Sequence, residues 1–182
     1  MSALSLPDKV VAIDAALTEA GVPHAFGGAL ALAYYAEPRA TIDVDVNVFA
    51  PPDRHVEVDA ALQPLGVGGD VDPRIVERDG QCRLMWASTP VDLFYAYHEL
   101  HDAMRRAVRR VPFGEDTIPV LAPEHLMVCK AIFNRPKDWL DIEQMLVAVG
   151  DLDQKEVQTW LERVLGVDDR RVARLDRIAE GL

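Results

Sequence analysis

The chain has 182 residues, with 30 acidic and 19 basic side chains, a formal net charge of −11, 49% hydrophobic residues and 27% charged ones. That length fits one domain, or one domain with a small appendage, and the composition excludes disorder and collagen-like structure. The acidic balance excludes a protein that coats nucleic acid or an anionic membrane non-specifically, while leaving room for a local basic site.

Acidity is concentrated early: residues 1–100 hold 6 basic and 15 acidic groups, and residues 101–182 hold 13 and 15. Residues 7–20 show helical spacing, with Val10, Ile13, Leu17 and Ala20 on one stripe and Gly21-Val22-Pro23 as a stop. Asp8, Lys9, Asp14 and Glu19 interrupt this stretch, so no secretory apolar core is expected there. A short strand, His24 to Phe26, leads into Gly27-Gly28, and Ala29 to Tyr35 reads as a small-residue helix ended near Pro38. Residues 40–49 alternate with period two, Ile42, Val44, Val46 and Val48 facing one way and Thr41, Asp43, Asp45 and Asn47 the other.

Pro51 to Leu65 reads as a helix that starts on proline and stops at Gly66. Residues 74–95 suggest three short strands: Ile75–Arg78 and Cys82–Trp86 around an Asp79-Gly80 hairpin turn, then Pro90–Tyr95. A basic helix, Glu99–Arg109, follows; Val111-Pro112-Phe113 and Thr117–Leu121 flank Gly114 as a hairpin or one bulged strand. Four helices then fill 123–134, 137–149, 153–165 and 168–181. The expected fold is α/β (α+β): a mixed sheet flanked by helices over 1–121 and a helical part over 122–182 packed on it.

Several chemistries are disfavoured. No apolar run approaches the roughly 18 residues that span a bilayer, so a cytoplasmic protein with no membrane partner is expected. Cys82 and Cys129 are too few for a disulfide scaffold and lack metal-ligand spacing, and read as buried thiols. Of three serines, only Ser88 is placed for nucleophilic work, and no Gly-x-Ser-x-Gly surrounds it. His98 and His101 lack the i,i+4 spacing of a zinc helix and read as surface or capping residues. Arg105, Arg106, Arg109 and Arg110 form a basic patch, read as a solvated face or a landing site for an anionic acceptor. The arginines of the last helix interleave with acids as surface pairs, and Trp139 and Trp160 sit at core spacings.

The remaining signal is carboxylate geometry. Asp43 and Asp45, at i and i+2, project from one face about 7 Å apart. A solvated strand face is one reading; a cation settling between the two is the other, since uncompensated carboxylates repel. Asp92 interrupts another apolar strand, Val91-Asp92-Leu93-Phe94, where an unpaired carboxylate is costly. Three such groups on adjacent strands would suit two hard divalent cations acting on a triphosphate. Lys130 and Lys137, two of only four lysines, flank Arg135 and supply a cationic cluster for phosphates; a Lys137–Asp141 helix-surface pair is the alternative.

Gly27-Gly28 followed by Arg39-Ala40-Thr41-Ile42-Asp43-Val44-Asp45-Val46 resembles the signature of the DNA polymerase beta-like nucleotidyltransferase superfamily. Its Arg-x-Thr-x-Asp-x-Asp form is similar to small bacterial members of the abortive-infection toxin type. Lys130-Ala-Ile-Phe-Asn-Arg135-Pro-Lys137-Asp138-Trp-Leu-Asp141 resembles the C-terminal block of the same proteins, and the match runs over roughly residues 20–147. The resemblance implies transfer of a nucleoside monophosphate from an NTP to a hydroxyl of a protein, tRNA or small-molecule acceptor, with Mg2+ and release of pyrophosphate. It assigns Asp43, Asp45 and Asp92 to the metals and Gly27 and Gly28 to the phosphates. Arg39, Thr41, Lys130, Arg135, Lys137 and Asp138 fall on the nucleotide or acceptor side. It also implies a possible toxin role with an antitoxin protein as partner. Many relatives carry Gly-Ser where this chain has Gly27-Gly28, which implies either backbone-only phosphate binding or a catalytically weak nucleotide-binding protein acting through a partner.

Overall fold

The computed structural model describes residues 4–181. Helix α1 (Leu6–Glu19) opens on a reciprocal cap: the Asp8 amide donates to the Ser5 hydroxyl, and the Ser5 amide donates to the Asp8 carboxylate. It buries Val10, Ile13 and Leu17 and ends before Gly21. Strand β1 (His24–Phe26), the single-turn helix α2 (Gly28–Leu32) and strand β2 (Val44–Val48) follow. Residues 52–65 are not one helix: a 3-10 turn at Pro52–Arg54 leads into α3 (His55–Leu62), and a second at Gln63–Leu65 ends at Gly66. A two-residue strand without sequence signal, β3 (Val67–Gly68), precedes α4 (Pro73–Asp79), β4 (Gln81–Trp86) and β5 (Thr89–Tyr95).

The strand expected over Ile75–Arg78 is therefore a helix. The Asp72 carboxylate accepts the Arg74 amide at 2.9 Å, and Pro73 occupies the first turn. Gly80, with φ of 64°, closes the helix in the left-handed region. Asp79-Gly80 is thus a helix stop and not a hairpin turn. The real hairpin turn is Ala87-Ser88, between Trp86 and Thr89, and it pairs β4 with β5.

Helix α5 (Glu99–Arg106) ends three residues earlier than its basic run, because Arg109 and Arg110 belong to β6 (Arg109–Phe113). β6 and β7 (Asp116–Val120) form a regular hairpin, with Gly114 in its turn. His98 caps α5 by accepting the Leu100 amide, as its capping reading anticipates. The seven strands form one mixed sheet of order β3-β4-β5-β2-β1-β7-β6, in which β2–β5 and β1–β7 are parallel and the other pairs antiparallel.

Helices α6 (Pro123–Phe133), α7 (Pro136–Ala148), α8 (Gln154–Leu165) and α9 (Arg170–Glu180) complete the chain. α6 stops where Asn134 adopts φ of 58°, and the Asn134 side-chain amide oxygen accepts the indole N–H of buried Trp139 at 2.7 Å. The Arg174 guanidinium lies 4.3 Å over the same indole, tying α9 to α7. One hydrophobic cluster joins Val44, Val46, Val48, Val91 and Leu93 of the sheet with Leu126, Trp139, Ile142, Leu161 and Leu175 of the C-terminal helices. Among the described residues no helix is long and apolar enough to cross a membrane.

Candidate active site

Alternation in two neighbouring strands builds the site. In β2, Val44, Val46 and Val48 point into the core. In β5, Val91, Leu93 and Tyr95 do the same, which leaves Asp92 and Phe94 on the opposite face. The parallel register sets Asp45 opposite Asp92, so the two carboxylates share a face about 4.8 Å apart at the backbone. The face is not a free solvent surface: Asn47 is buried, and Leu126, Cys129 and Lys130 of α6 line a cavity with it.

Asp43 lies just before the strand begins, after a bend at Ile42, and the Thr41 hydroxyl bonds its carboxylate. Burial alone would raise the Asp43 pKa; the Thr41 hydrogen bond and the cations of Lys137 and Arg83 outweigh it and leave the carboxyl below its ordinary range. Asp45 goes the other way. Burial, then the Asp43 and Asp92 charges, push it up to about 6, against the pull of Arg135 and Lys130.

The turn at Gly28 presses against this pair. Its φ is 54°, and a Cβ added there would fall on the Asp45 carboxylate. A serine here would need positive φ and a shift of the Asp45 side chain, so glycine is the unstrained residue at this turn.

A cavity of about 880 Å³ opens on this face, and Gly28, Arg39, Asp43, Asp45, Asp92, Lys130, Arg135 and Lys137 all line it. Gly27, Thr41 and Asp138 stand behind its wall. The Gly27 amide donates to the Asp45 carbonyl at 2.9 Å. Asp138 is fully buried and caps α7, accepting the Arg135 amide at 3.0 Å and the Arg135 guanidinium at 2.7 Å.

Lys130 is buried beside Asp141, donating to its carboxylate at 2.6 Å, and Arg39 donates to the same oxygen at 3.3 Å. Asp141 thus joins the loop before β2 to helices α6 and α7, and its partners are Arg39 and Lys130, not the Lys137 of the alternative helix-surface pairing.

Three further groups of wall residues were not assigned to the site from the sequence, the cysteines being read there as buried thiols and His101 as a surface or capping residue. Arg83 of β4 is the cross-strand partner of Asp92 and grips both its oxygens, at 2.6 and 2.7 Å. Phe94 meets Phe133 edge to face with ring centroids 5.6 Å apart, and Tyr97 tilts against His101 at 5.0 Å. Together they give the cavity an aromatic end beside its charged one. Cys82 and Cys129, both free and half-buried, also reach the wall. Burial pushes the Cys82 thiol up to about 11 and the Cys129 thiol up to about 12, so neither is a thiolate at neutral pH.

No curated protein matches the chain. Among solved structures, the antibiotic-resistance factor ANT(2'')-Ia superposes with a TM-score of 0.62 at 18% identity, covering 97% of each chain. A nucleotidyltransferase-like antigenic protein from Paracoccidioides brasiliensis gives 0.55 at 14% identity, over 96% of this chain and 92% of that one. The lincosamide antibiotic adenylyltransferase LnuA, with lincomycin bound, gives 0.54 at 11% identity, over 79% and 98%. At these identities the likeness is one of fold. The profile of the family described as nucleotidyl transferase AbiEii toxin, type IV toxin–antitoxin system, matches residues 14–180. With that match spanning both the sheet and the C-terminal helices, the chain belongs to the AbiEii nucleotidyltransferase family and is a nucleotidyltransferase.

Proposed function

We propose that the chain transfers a nucleoside monophosphate from an NTP to a hydroxyl of a protein, tRNA or small-molecule acceptor, in a Mg2+-dependent reaction centred on Asp43, Asp45 and Asp92. The observation that carries this reading is the cavity wall, where those three carboxylates face Arg39, Lys130, Arg135 and Lys137 from distant parts of the chain. Cations alone would bind any anion, and carboxylates alone would repel a triphosphate. Both kinds together suit a triphosphate that arrives with a divalent metal.

The donor set fits such a metal. Asp45 is crowded by two like charges, and the cradle at Gly28 keeps side chains away from its oxygens. Among the described residues no three carboxylate, imidazole or thiol groups converge on one point as they stand. Asp43 and Asp45, with phosphate oxygens, are therefore the fitting ligands for a first Mg2+, and Asp92 is the added ligand of a second. When bound, the metal neutralises the triphosphate and lowers the pKa of the attacking hydroxyl.

The chain's own groups do the rest. Lys137 and Arg135, exposed along the cavity, hold phosphate oxygens, and the rigid Arg39–Asp141–Lys130 cluster fixes the wall behind them. The acceptor oxygen bonds to the α-phosphorus as the α–β bridge to phosphorus breaks, the electron pair leaves with pyrophosphate, and the hydroxyl proton passes to a carboxylate, for which Asp92 is proposed. The family's description supports a toxin role with an antitoxin protein as partner, and these, with a cytoplasmic location, belong to the same proposal.

Calorimetric titration with each NTP, with and without Mg2+, tests the site. Binding that requires Mg2+ and vanishes in the double variant Asp43→Ala, Asp45→Ala is the expected result. Binding that is indifferent to both would contradict the metal assignment and favour a nucleotide-binding protein without turnover.

A further inference from the structure

Arg83 stands where a cation is needed and none of the sequence motifs reaches. It belongs to β4, outside the Gly-Gly, Asp-x-Asp and lysine blocks, yet the β4–β5 register sets it opposite Asp92. Its Nε donates to one Asp92 oxygen at 2.6 Å and its terminal nitrogen to the other at 2.7 Å. Both metal-facing oxygens of the third carboxylate are thus occupied by a planar fork. The two ends of the pair differ in freedom: the Asp92 side chain is 15% exposed, whereas that of Arg83 is 60% exposed. The carboxylate is fixed by the sheet, and the guanidinium is held mainly by the pair itself. Arg83 also lines the cavity shared by Lys130, Arg135 and Lys137, within reach of the Asp43 charge.

We propose that Arg83 is a positioning residue that acts as a stand-in cation: it keeps Asp92 closed to metal in the nucleotide-free protein, and moves onto the phosphates when NTP enters. This rests on the nucleotidyl-transfer reading above and assigns the step that completes its three-carboxylate site. An arriving triphosphate offers the guanidinium more negative charge than Asp92 does, and its movement frees two carboxylate oxygens beside those of Asp45. In the sheet's resting arrangement, nucleotide and second metal are therefore coupled through one side chain, each favouring the other.

The test uses the full chain, Mn2+ as the spectroscopic probe for Mg2+, and a non-hydrolysable ATP analogue. Wild type is compared with Arg83→Gln and Arg83→Lys, the latter preserving charge but not the fork. Without nucleotide, Arg83→Gln is expected to bind Mn2+ about fivefold more tightly than wild type, a gain removed by adding Asp92→Asn. Without metal, the same variant is expected to bind the analogue about fivefold more weakly. These opposite shifts are what a merely structural arginine would not produce, and Arg83→Lys should fall between wild type and Arg83→Gln in both. Equal Mn2+ affinities for wild type and Arg83→Gln, or metal and nucleotide affinities that fall together, overturn the proposal. Should Arg83→Gln fail to fold, an Arg83→Lys protein with both affinities at wild-type values overturns it equally. If Asp45→Asn abolishes Mn2+ binding while Arg83→Gln changes nothing, only the role of Arg83 fails. If Asp45→Asn leaves Mn2+ binding intact, the carboxylate site itself fails.

Discussion

Asp45 carries the largest electrostatic strain in the site, and its consequence is a pH dependence of stability. Its carboxyl is held at about 6 against an ordinary 3.8, so the folded chain binds that proton more tightly than the unfolded chain does. The resulting stabilisation is complete below about pH 3.8 and is lost as pH rises through about 6. In chelator, wild type should therefore lose about 2 kcal/mol relative to Asp45→Asn between pH 4 and pH 7.5, a relative fall in Tm of about 4–8 °C. Excess Mg2+ should restore it at the upper end, because the metal needs the ionised form. Thermal melts of both proteins across that range check this, and a constant difference between them would contradict it. The carboxylates themselves were legible in the sequence: Asp45 and Asp92 each interrupt a valine-rich alternation, and such an interruption needs a reason. Arg83 was not legible, since its partner follows only from the Ala87-Ser88 hairpin, whose turn lacks the usual Asn-Gly or Asp-Gly.

Elements position these residues by joining segments far apart in the chain, and Asp141 is the junction on which three of them meet. It accepts from Lys130 at 2.6 Å and from Arg39 at 3.3 Å, with Lys130 almost fully buried. Replacing Asp141 by Asn removes the carboxylate hydrogen-bonded to a buried ammonium, and should cost about 3 kcal/mol, a fall in Tm of about 6–12 °C. Replacing Lys130 by Met and Asp141 by Leu together should return much of that stability while leaving nucleotide binding impaired. A thermal melt of the single and double variants decides it; additive losses would show that the two side chains do not act as a pair. Helix spacing offered Lys137–Asp141 as the alternative pairing, but Asp141 is buried and its carboxylate meets Lys130 of α6. Local chemistry misled in the same way at residues 75–80. Ile75-Val76-Glu77-Arg78, two apolar residues then two charged ones, is too short to separate strand from helix, and the Asp72 and Gly80 caps settle it in favour of helix.

At the scale of the whole molecule, the sheet and the four C-terminal helices share one hydrophobic cluster across residue 121. Tyr35 reinforces the junction, its hydroxyl donating to the Leu121 carbonyl at 2.8 Å. We propose that 1–121 and 122–182, the two parts expected from the sequence, fold as a single cooperative unit. A fragment ending at Leu121 should show no cooperative thermal transition and no near-ultraviolet circular dichroism, whereas the full chain should melt in one step by both measures. An independently folding 1–121 fragment would contradict this.

The same union brings Lys130 and Lys137 from the nearly neutral second half into one cavity with carboxylates from the acidic first half. The net charge of −11 is therefore compatible with an NTP substrate. The order of the segments was readable from hydrophobic period and punctuation. The strand order, which sets β2 beside β5 and α6 above both, depends on long-range packing that no local pattern encodes.

The central claim is that these groups transfer nucleotide to a hydroxyl. The most direct measurement is a lysate given each of the four NTPs labelled at the α-phosphate, with purified wild-type chain or Asp45→Asn and with Mg2+ or chelator. Label should pass from one NTP into a discrete protein, RNA or small-molecule product only with wild type and Mg2+, accompanied by pyrophosphate. NTP binding by wild type with no labelled product under any of these conditions would contradict the account.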